Sequence, residues 1–254
     1  MIISIDGLDC SGKETLANAL AAKCEQYFPE THAEVISFPD YTSESGTMIR
    51  KILSKANSSP VVEHIPLTRK AFLLSELFVI NRKEYFDHHP ELDFENSILI
   101  FDRYSASNVL YQGQGLDGHQ LLNLIHFNKY LDYEVYGNPK PTYSFFLRVP
   151  FEILAARLRA RKASKSGVED KYEDPSFLRT SFHLSEQLLA ADFVQDELFH
   201  SVLNQIYYGN TESDKNQRYI MSPEQTAATM LEILVAKGYL TLPTAMKTKE
   251  AETK

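Results

Sequence analysis

Short apolar runs recur along the chain, IISI at 2–5, EVISF at 34–38, SILIFD at 97–102, YSFFLRV at 143–149 and RYIM at 218–221, and segments of helical periodicity separate them. A strand-length run that is apolar throughout has no polar face to show to water. Such runs read as strands covered on both sides, and their alternation with helices reads as βαβ units around a parallel sheet. The longest helical segment runs from 66 to about 85, with apolar residues at 73, 74, 77, 78 and 80 and no glycine. A second helix starts near Phe151, and Pro175 opens a third that reaches about Leu203. Between these two lies RLRARKASKSGVEDKYED at 157–174, first basic and then acidic, which predicts a flap rather than core. Ligands of parallel sheets bind at the carboxyl ends of the strands. Three polar signals fall there: the loop from Gly7, the segment Phe38-Pro39-Asp40, and Asp102-Arg103-Tyr104.

The first signal, GLDCSGKET at 7–15, has the Gly-x-x-x-x-Gly-Lys spacing of a phosphate-binding loop, set between a buried strand and a helix as that motif requires. Such a turn aims backbone N–H groups and a helix N-terminus at phosphate oxygens, while Lys13 reaches the β and γ phosphates. Gly7, Cys10, Ser11, Gly12, Lys13, Glu14 and Thr15 are the candidate nucleotide-binding positions. Directly after the lysine, where a hydroxyl normally offers Mg²⁺ a neutral oxygen, the chain has Glu14, and Thr15 comes one place late. Either Glu14 coordinates the metal through water, or it points to solvent while Asp102 holds the hydrated ion. Asp102 closes SILIFD, the strand end at which an acid holds magnesium water beside the phosphates.

Composition narrows the picture. With 254 residues and 43 % apolar content, one α/β domain over 1–240 is expected, followed by a loose lysine- and glutamate-rich tail at 241–254. The net charge of −8 argues against a nucleic-acid surface, although small anionic ligands need only a local positive site. Cys10 and Cys24 show no metal-site or disulfide spacing, which suggests a reducing setting. No run approaches a membrane span and no signal segment precedes the first strand, so a cytoplasmic protein without a membrane partner is expected. The eight histidines lack ligand spacing, which leaves Mg²⁺ as the one metal expected.

The third signal, DRYSASNVLYQG at 102–113, resembles the motif of the thymidylate kinase family, DRY followed by Ser or Ser-Asn and then an aromatic residue. The resemblance covers about residues 1–235. GLDCSGKET is similar to the family's loop, FPDYTSESG to its FPxR or FPRY segment, LFVINR to its LFxxNR helix, KPTYSFFLRVP to its KPD strand, and DKYED to the close of its lid. Five signals in the family's order are more specific than any one of them. The resemblance implies a three-layer P-loop kinase fold, a five-stranded parallel sheet with helices on both faces and a short lid at 157–174. It implies transfer of the γ-phosphoryl of ATP to dTMP, giving dTDP, with Mg²⁺ and in a homodimer.

It also implies roles. Phe78 and Arg82, four apart and so on one helix face, would stack on thymine and donate to its carbonyl. Ser107 and Asn108 would read N3 and O4, Tyr111 would crowd the sugar 2′ position, and Arg103 would hold the acceptor phosphate. Asp9 would lie near the sugar or the metal, with Phe38 and Tyr41 lining the acceptor side. The plainer readings are a core aromatic for Phe78, an ion pair for Arg82, capping by Ser107 or Asn108 and packing by Tyr111. Some members carry the transition-state arginine in the phosphate loop, where this chain has Cys10. It is then expected from the lid, among Arg157, Arg159, Arg161, Lys162 and Lys165, with Arg161 first and Arg159 second. Three positions depart from the pattern: Tyr41 for arginine, Thr142 for the acid of KPD, and Arg148 for an acid at the strand end. Rival expectations are a dUMP, 5-modified pyrimidine monophosphate or deoxynucleoside acceptor, and a nucleotide-binding module with weak turnover.

Overall fold

The computed structural model describes residues 1–54, 64–164, 172, 174–191 and 222–241, and the backbone of 203–207. Five strands, β1 (Ile2–Gly7), β2 (Ala33–Ser37), β3 (Ile98–Asp102), β4 (Tyr143–Arg148) and β5 (Leu203–Tyr207), form one sheet in the order β2-β3-β1-β4-β5. Every pairing in it is parallel. β1 and β3 are buried at every residue, the polar Ser4, Asp6 and Asp102 included. The strand period of two sorts β3 between two cores. Ile98 and Ile100 join a cluster with Leu16, Leu20, Met230 and Leu234. Leu99 and Phe101 join Phe38 and Tyr104 on the other face, beneath Tyr85 and Phe86.

Helix α1 (Lys13–Tyr27) supplies Leu16 and Leu20, and α8 (Pro223–Ala236), with which it packs, supplies Met230 and Leu234. In chain order the other helices are α2 (Glu44–Leu53), α3 (Leu67–His88), α4 (Ser105–Gln112), α5 (Gly118–Lys129), α6 (Phe151–Ser164) and α7 (Pro175–Ala190). A capping box of Asp117 and Gln120 starts α5, which runs on into a π-helical turn, Tyr130–Val135. The register places Asp102 level with Ile5 on one side and Ser37 on the other, so the three polar signals meet at one edge of the sheet.

Two boundaries differ from the sequence reading. The helix opened by Pro175 stops at Ala190, and the fifth strand is Leu203–Tyr207, in the stretch where that helix was expected to end. β5 lies at the sheet edge, and an edge strand needs no all-apolar run to mark it. RYIM at 218–221, the tail beyond 241 and most of the lid after Ser164, Lys165 included, fall outside the described residues. Two of the departures from the family pattern have structural partners. Thr142 Oγ1 accepts from Ile2 N–H at 3.1 Å and its own N–H donates to the Ile2 carbonyl at 2.7 Å, joining the entries of β1 and β4. Arg148 forks onto Glu186 of α7. Among the described residues no helix is long and apolar enough to cross a membrane.

Candidate active site

Beyond the ends of β1, β2 and β3 opens a cleft of about 470 Å³. The loop from β1 to α1 forms one wall. Gly7 is confined by β4: a Cβ there would stand 2.9 Å from the Leu147 carbonyl oxygen. Gly12 starts α1 at φ 96, a conformation that glycine adopts without penalty. Cys10, at φ 63, does so at a cost of about 1–3 kcal/mol, the kind of strain that clusters at ligand sites. Lys13 is 4 % exposed and crosses the loop, its Nζ donating to the Leu8 carbonyl at 2.6 Å and to Ser11 Oγ at 3.3 Å. Burial, with the nearby Arg103 charge adding to it, lowers the Lys13 pKa to about 8. Burial of Cys10, aided by the Asp9 charge, raises the pKa of its thiol, which works against the reactive thiolate.

The Asp102-Arg103-Tyr104 turn forms the floor. Arg103 is the second non-glycine residue at positive φ, 70, and Asp6 holds the chain there. The buried Asp6 Oδ1 accepts from Tyr104 N–H (3.0 Å), Ser107 N–H (2.9 Å) and Ser107 Oγ (2.6 Å), tying the end of β1 to the first turn of α4. Arg103 pairs with Asp9 and donates to Tyr111 Oη at 3.3 Å. Burial alone would push the Asp9 carboxyl up, but Arg103 and Lys13 together outweigh it and hold the acid below the usual range. Asp102 is 8 % exposed and its Oδ1 is buried with no hydrogen-bond partner among the described residues.

The third wall is built by α3 and α4. Phe78 and Arg82 line it from one face of α3, Phe78 half-buried and Arg82 almost wholly so. Arg82 is held side-on by Asp132, a residue of the π-helical turn. Asn108 is oriented with equal strictness. Its Nδ2 donates to the Ser75 carbonyl (2.9 Å) and to Asn128 Oδ1 (2.6 Å), both of which only accept there, so the amide has one orientation. Its Oδ1 is buried with no hydrogen-bond partner among the described residues, on a side chain that lines the cleft. Asn81, one residue before Arg82, turns away from the cleft and pins the Phe38-Pro39-Asp40 segment: Oδ1 accepts from Asp40 N–H at 2.8 Å, and Nδ2 donates to the Asp40 carbonyl at 2.9 Å. Glu84 accepts the first amides of α2, and Gly46 lets that helix close on the segment, since a Cβ there would meet the Asp40 oxygen at 1.8 Å.

Helix α6 brings cations to the phosphate loop. Arg157 Nη1 donates to the carbonyls of Cys10 (3.1 Å) and Ser11 (2.9 Å). Arg161, four residues on and on the same face, reaches the Cys10 thiol and lines the cleft. Arg159 lies about 200° away around the helix, exposed and off the cleft.

Of the residues picked from the sequence, Gly7, Ser11 and Arg159 do not line this cleft, nor do the lid alternatives Arg157 and Lys162, and Lys165 lies outside the described residues; the others line it. Gly7 and Ser11 shape the loop from behind, and Arg159 points away from it. Phe38 belongs mainly to the aromatic core, edge-on to Tyr85 at 5.3 Å and to Phe101 at 5.7 Å. Tyr41 lies under the Arg50 guanidinium, 5.0 Å from its ring centre. Ser107 spends its hydroxyl on Asp6. Glu14 is exposed at the start of α1, with Thr15 beside it. Sequence reasoning missed Asp6, Asn128, Asp132 and Tyr172. An acid inside an otherwise apolar strand was a legible signal for Asp6, whereas the others become significant only through partners distant in the chain. Tyr172 lies against Tyr111 at 4.9 Å, and its Oη accepts from Gln112 Nε2 at 2.8 Å.

Residues 5–189 match the family described as Thymidylate kinase. A probable thymidylate kinase of Pyrobaculum aerophilum is 31 % identical over 180 residues, covering 70 % of this chain and 77 % of that protein. The thymidylate kinase of Mycobacterium tuberculosis is 26 % identical over 174 residues, 68 % of this chain and 78 % of that one. In fold, the structure of thymidylate kinase from Candida albicans superposes with a TM-score of 0.58 at 21 % identity, covering 93 % of this chain and 92 % of the other.

Proposed function

Since the chain belongs to the thymidylate kinase family, we propose that its cleft carries out that reaction, transfer of the γ-phosphoryl group of ATP to the 5′-phosphate of dTMP, giving dTDP and ADP. The loop amides and Lys13 take the ATP phosphates. Arg103 takes the acceptor phosphate from the floor, and releasing Asp9 in part lets that carboxylate turn to the sugar. Arg161 closes over the migrating group, where positive charge lowers the barrier, while Arg157 holds the loop backbone to α6. Phe78 stacks on the base, and Tyr111 occupies the side of the sugar that a 2′-hydroxyl would need.

The observation that carries the reading is that Asn108, whose Oδ1 has no hydrogen-bond partner among the described residues, and the fixed Arg82 line one cleft. A fixed acceptor and a fixed donor suit a ring that presents N3–H beside a 4-oxygen. Thymine has that edge and cytosine has its inverse. Uracil shares it, so these two residues do not read the 5-methyl group.

The residues present fit Mg²⁺, which keeps most of its waters and takes one or two carboxylates together with substrate phosphates. Asp102, whose Oδ1 has no hydrogen-bond partner among the described residues, would hold it; Glu14 would add a contact through water, and Asp9 is engaged by Arg103. Bound with ATP, Mg²⁺ would supply positive charge that offsets the charge on the phosphates. Among the described residues no group of three His, Cys, Asp or Glu side chains is arranged to hold a metal ion. The free thiols of Cys10 and Cys24 suit the cytoplasm, and the exposed Met48, Leu67 and Leu73 on α2 and α3 suit a homodimer, which sedimentation would test.

ADP release measured across dTMP, dUMP, dCMP and thymidine tests the activity. Turnover is expected with dTMP, and dCMP is expected to be worse by at least about a hundredfold in kcat/KM, the loss that follows when buried polar groups face the wrong partners. Equal use of dCMP would remove Asn108 and Arg82 from base reading, and turnover of no monophosphate would end the kinase assignment.

A further inference from the structure

The reaction as described gives no part to the buried acid Asp132. Asp132 lies on the π-helical turn Tyr130–Val135, and none of its side chain is exposed. Both its oxygens grip Arg82, Oδ1 accepting from Nε at 2.9 Å and Oδ2 from Nη2 at 2.6 Å. Asn138 fixes the acid from behind: its Nδ2 donates to Asp132 Oδ1 at 2.9 Å and its backbone N–H to the Asp132 carbonyl at 2.7 Å. The same Nδ2 donates to the Val79 carbonyl at 3.2 Å, so the turn is fastened to α3 itself.

The π winding takes part in this arrangement. Tyr136 N–H reaches back five residues to the Leu131 carbonyl at 2.9 Å, and the widened turn buries Leu131 and Asp132 while Glu134 and Val135 stay exposed. Single-turn π-bulges within α-helices are frequent at functional sites. A side-on fork occupies Nε and Nη2 of the guanidinium and leaves Nη1 at the opposite edge. The Tyr104 ring, 5.0 Å from the guanidinium carbon, covers one face. Arg82 therefore has a single orientation, where a long flexible side chain would otherwise have many. Buried ion pairs add little stability over apolar residues of the same volume. One spent on an arginine that lines the cleft points to orientation.

We infer that Asp132 is a positioning residue for acceptor recognition: by forking Arg82 it fixes the donor edge that meets the 4-oxygen of thymine, from a turn that lies outside every motif of the chain. The inference rests on the base-reading role given to Arg82 above. Asp132→Asn preserves shape and one acceptor but removes the charged fork. Its KM for dTMP is expected to rise about tenfold, the usual scale for losing one charge-assisted contact, with kcat within about threefold and the KM for ATP unchanged. The preference for dTMP over 4-thio-dTMP, whose sulfur is a poor acceptor, is expected to shrink toward one.

Wild-type dTMP kinetics in Asp132→Asn, or a fall in kcat with the preference over 4-thio-dTMP intact, overturns the inference. Arg82→Ala separates this failure from that of the reading beneath it. If Arg82→Ala raises the KM and blurs the preference while Asp132→Asn is silent, the inference alone is wrong. If Arg82→Ala is silent too, the base-reading role fails and takes the inference with it. Should Asp132→Asn not fold, Asn138→Ala removes one donor to the acid and leaves the fork in place. It is expected to raise the dTMP KM about two- to threefold at constant kcat, and no change there overturns the inference as well.

Discussion

Lys13 shows how a single side chain ties burial to function. Its ammonium group is enclosed by the loop it serves, and burial first, then Arg103, brings its pKa from 10.5 down to about 8. A base with a depressed folded-state pKa is a burden while both states are protonated. The folded protein sheds the proton first, so the ligand-free protein gains stability as pH rises from about 8 toward 10.5. ATP binding has the opposite sign, because its phosphates need the charged form. ATP affinity is expected to hold near pH 7 and then to weaken above about 8, approaching about tenfold per pH unit. Titration calorimetry at pH 7, 8 and 9 measures this, with Lys13→Arg as the flat control. A wild-type affinity that stays level to pH 9 would place the charge elsewhere. Asn108 makes the complementary point. By resemblance it would read the base, with capping as the plainer reading; its Nδ2 is held by the Ser75 carbonyl and by Asn128, itself tied to Ser75 Oγ and the Leu124 carbonyl, so its Oδ1 is the atom without a partner among the described residues.

At the scale of an element, α6 shows how helical spacing sorts like residues. Arg157, Arg159 and Arg161 are equivalent in composition, and the sequence ranked them only by resemblance. The helix puts Arg157 and Arg161 on the face toward the phosphate loop and Arg159 on the other. Arg161→Ala is expected to lower kcat by about a hundredfold or more with ATP binding nearly unchanged, the range for losing one preorganised transition-state contact, whereas Arg159→Ala stays within about twofold. Steady-state kinetics paired with ATP titration reads both, and the reverse ranking would move the transition-state charge to Arg159. The helix α3 sorts its residues in the same way. Phe78 and Arg82 face the cleft, while Asn81 and Glu84 on adjoining faces hold the loop after β2 and the start of α2.

For the whole molecule, the parallel order β2-β3-β1-β4-β5 brings the phosphate loop, the Asp102 turn and the loop after β2 to one edge, and α3, α4, α6 and the π-helical turn close around them. Elements so far apart in sequence are bridged by whatever fills the cleft. Binding should therefore stabilise the fold as a unit. At dTMP a hundred times above its Kd, linkage gives about 2.7 kcal/mol, or roughly 5–10 °C in Tm for a chain of this size. Differential scanning fluorimetry with dTMP and dCMP at equal concentration checks this. A shift with dCMP as large as that with dTMP would contradict the proposed base edge.

The sequence by itself determined the sheet-and-helix alternation, the phosphate loop and the floor at Asp102, because these rest on short contiguous patterns whose physics is local: apolar runs that must be covered, glycines at a tight turn, an acid at a strand end. It marked Phe78, Arg82 and Asn108 only through a resemblance. The tertiary structure alone decided where the fifth strand lies, since an edge strand is defined by its neighbour, and which lid arginine faces the cleft, since that depends on the helix's rotation against the loop. It alone brought Asp6 to the Tyr104 turn and Asp132 to Arg82. A buried carboxylate acquires meaning from the donor it meets, and in both cases the donor is supplied by a segment that only folding brings near.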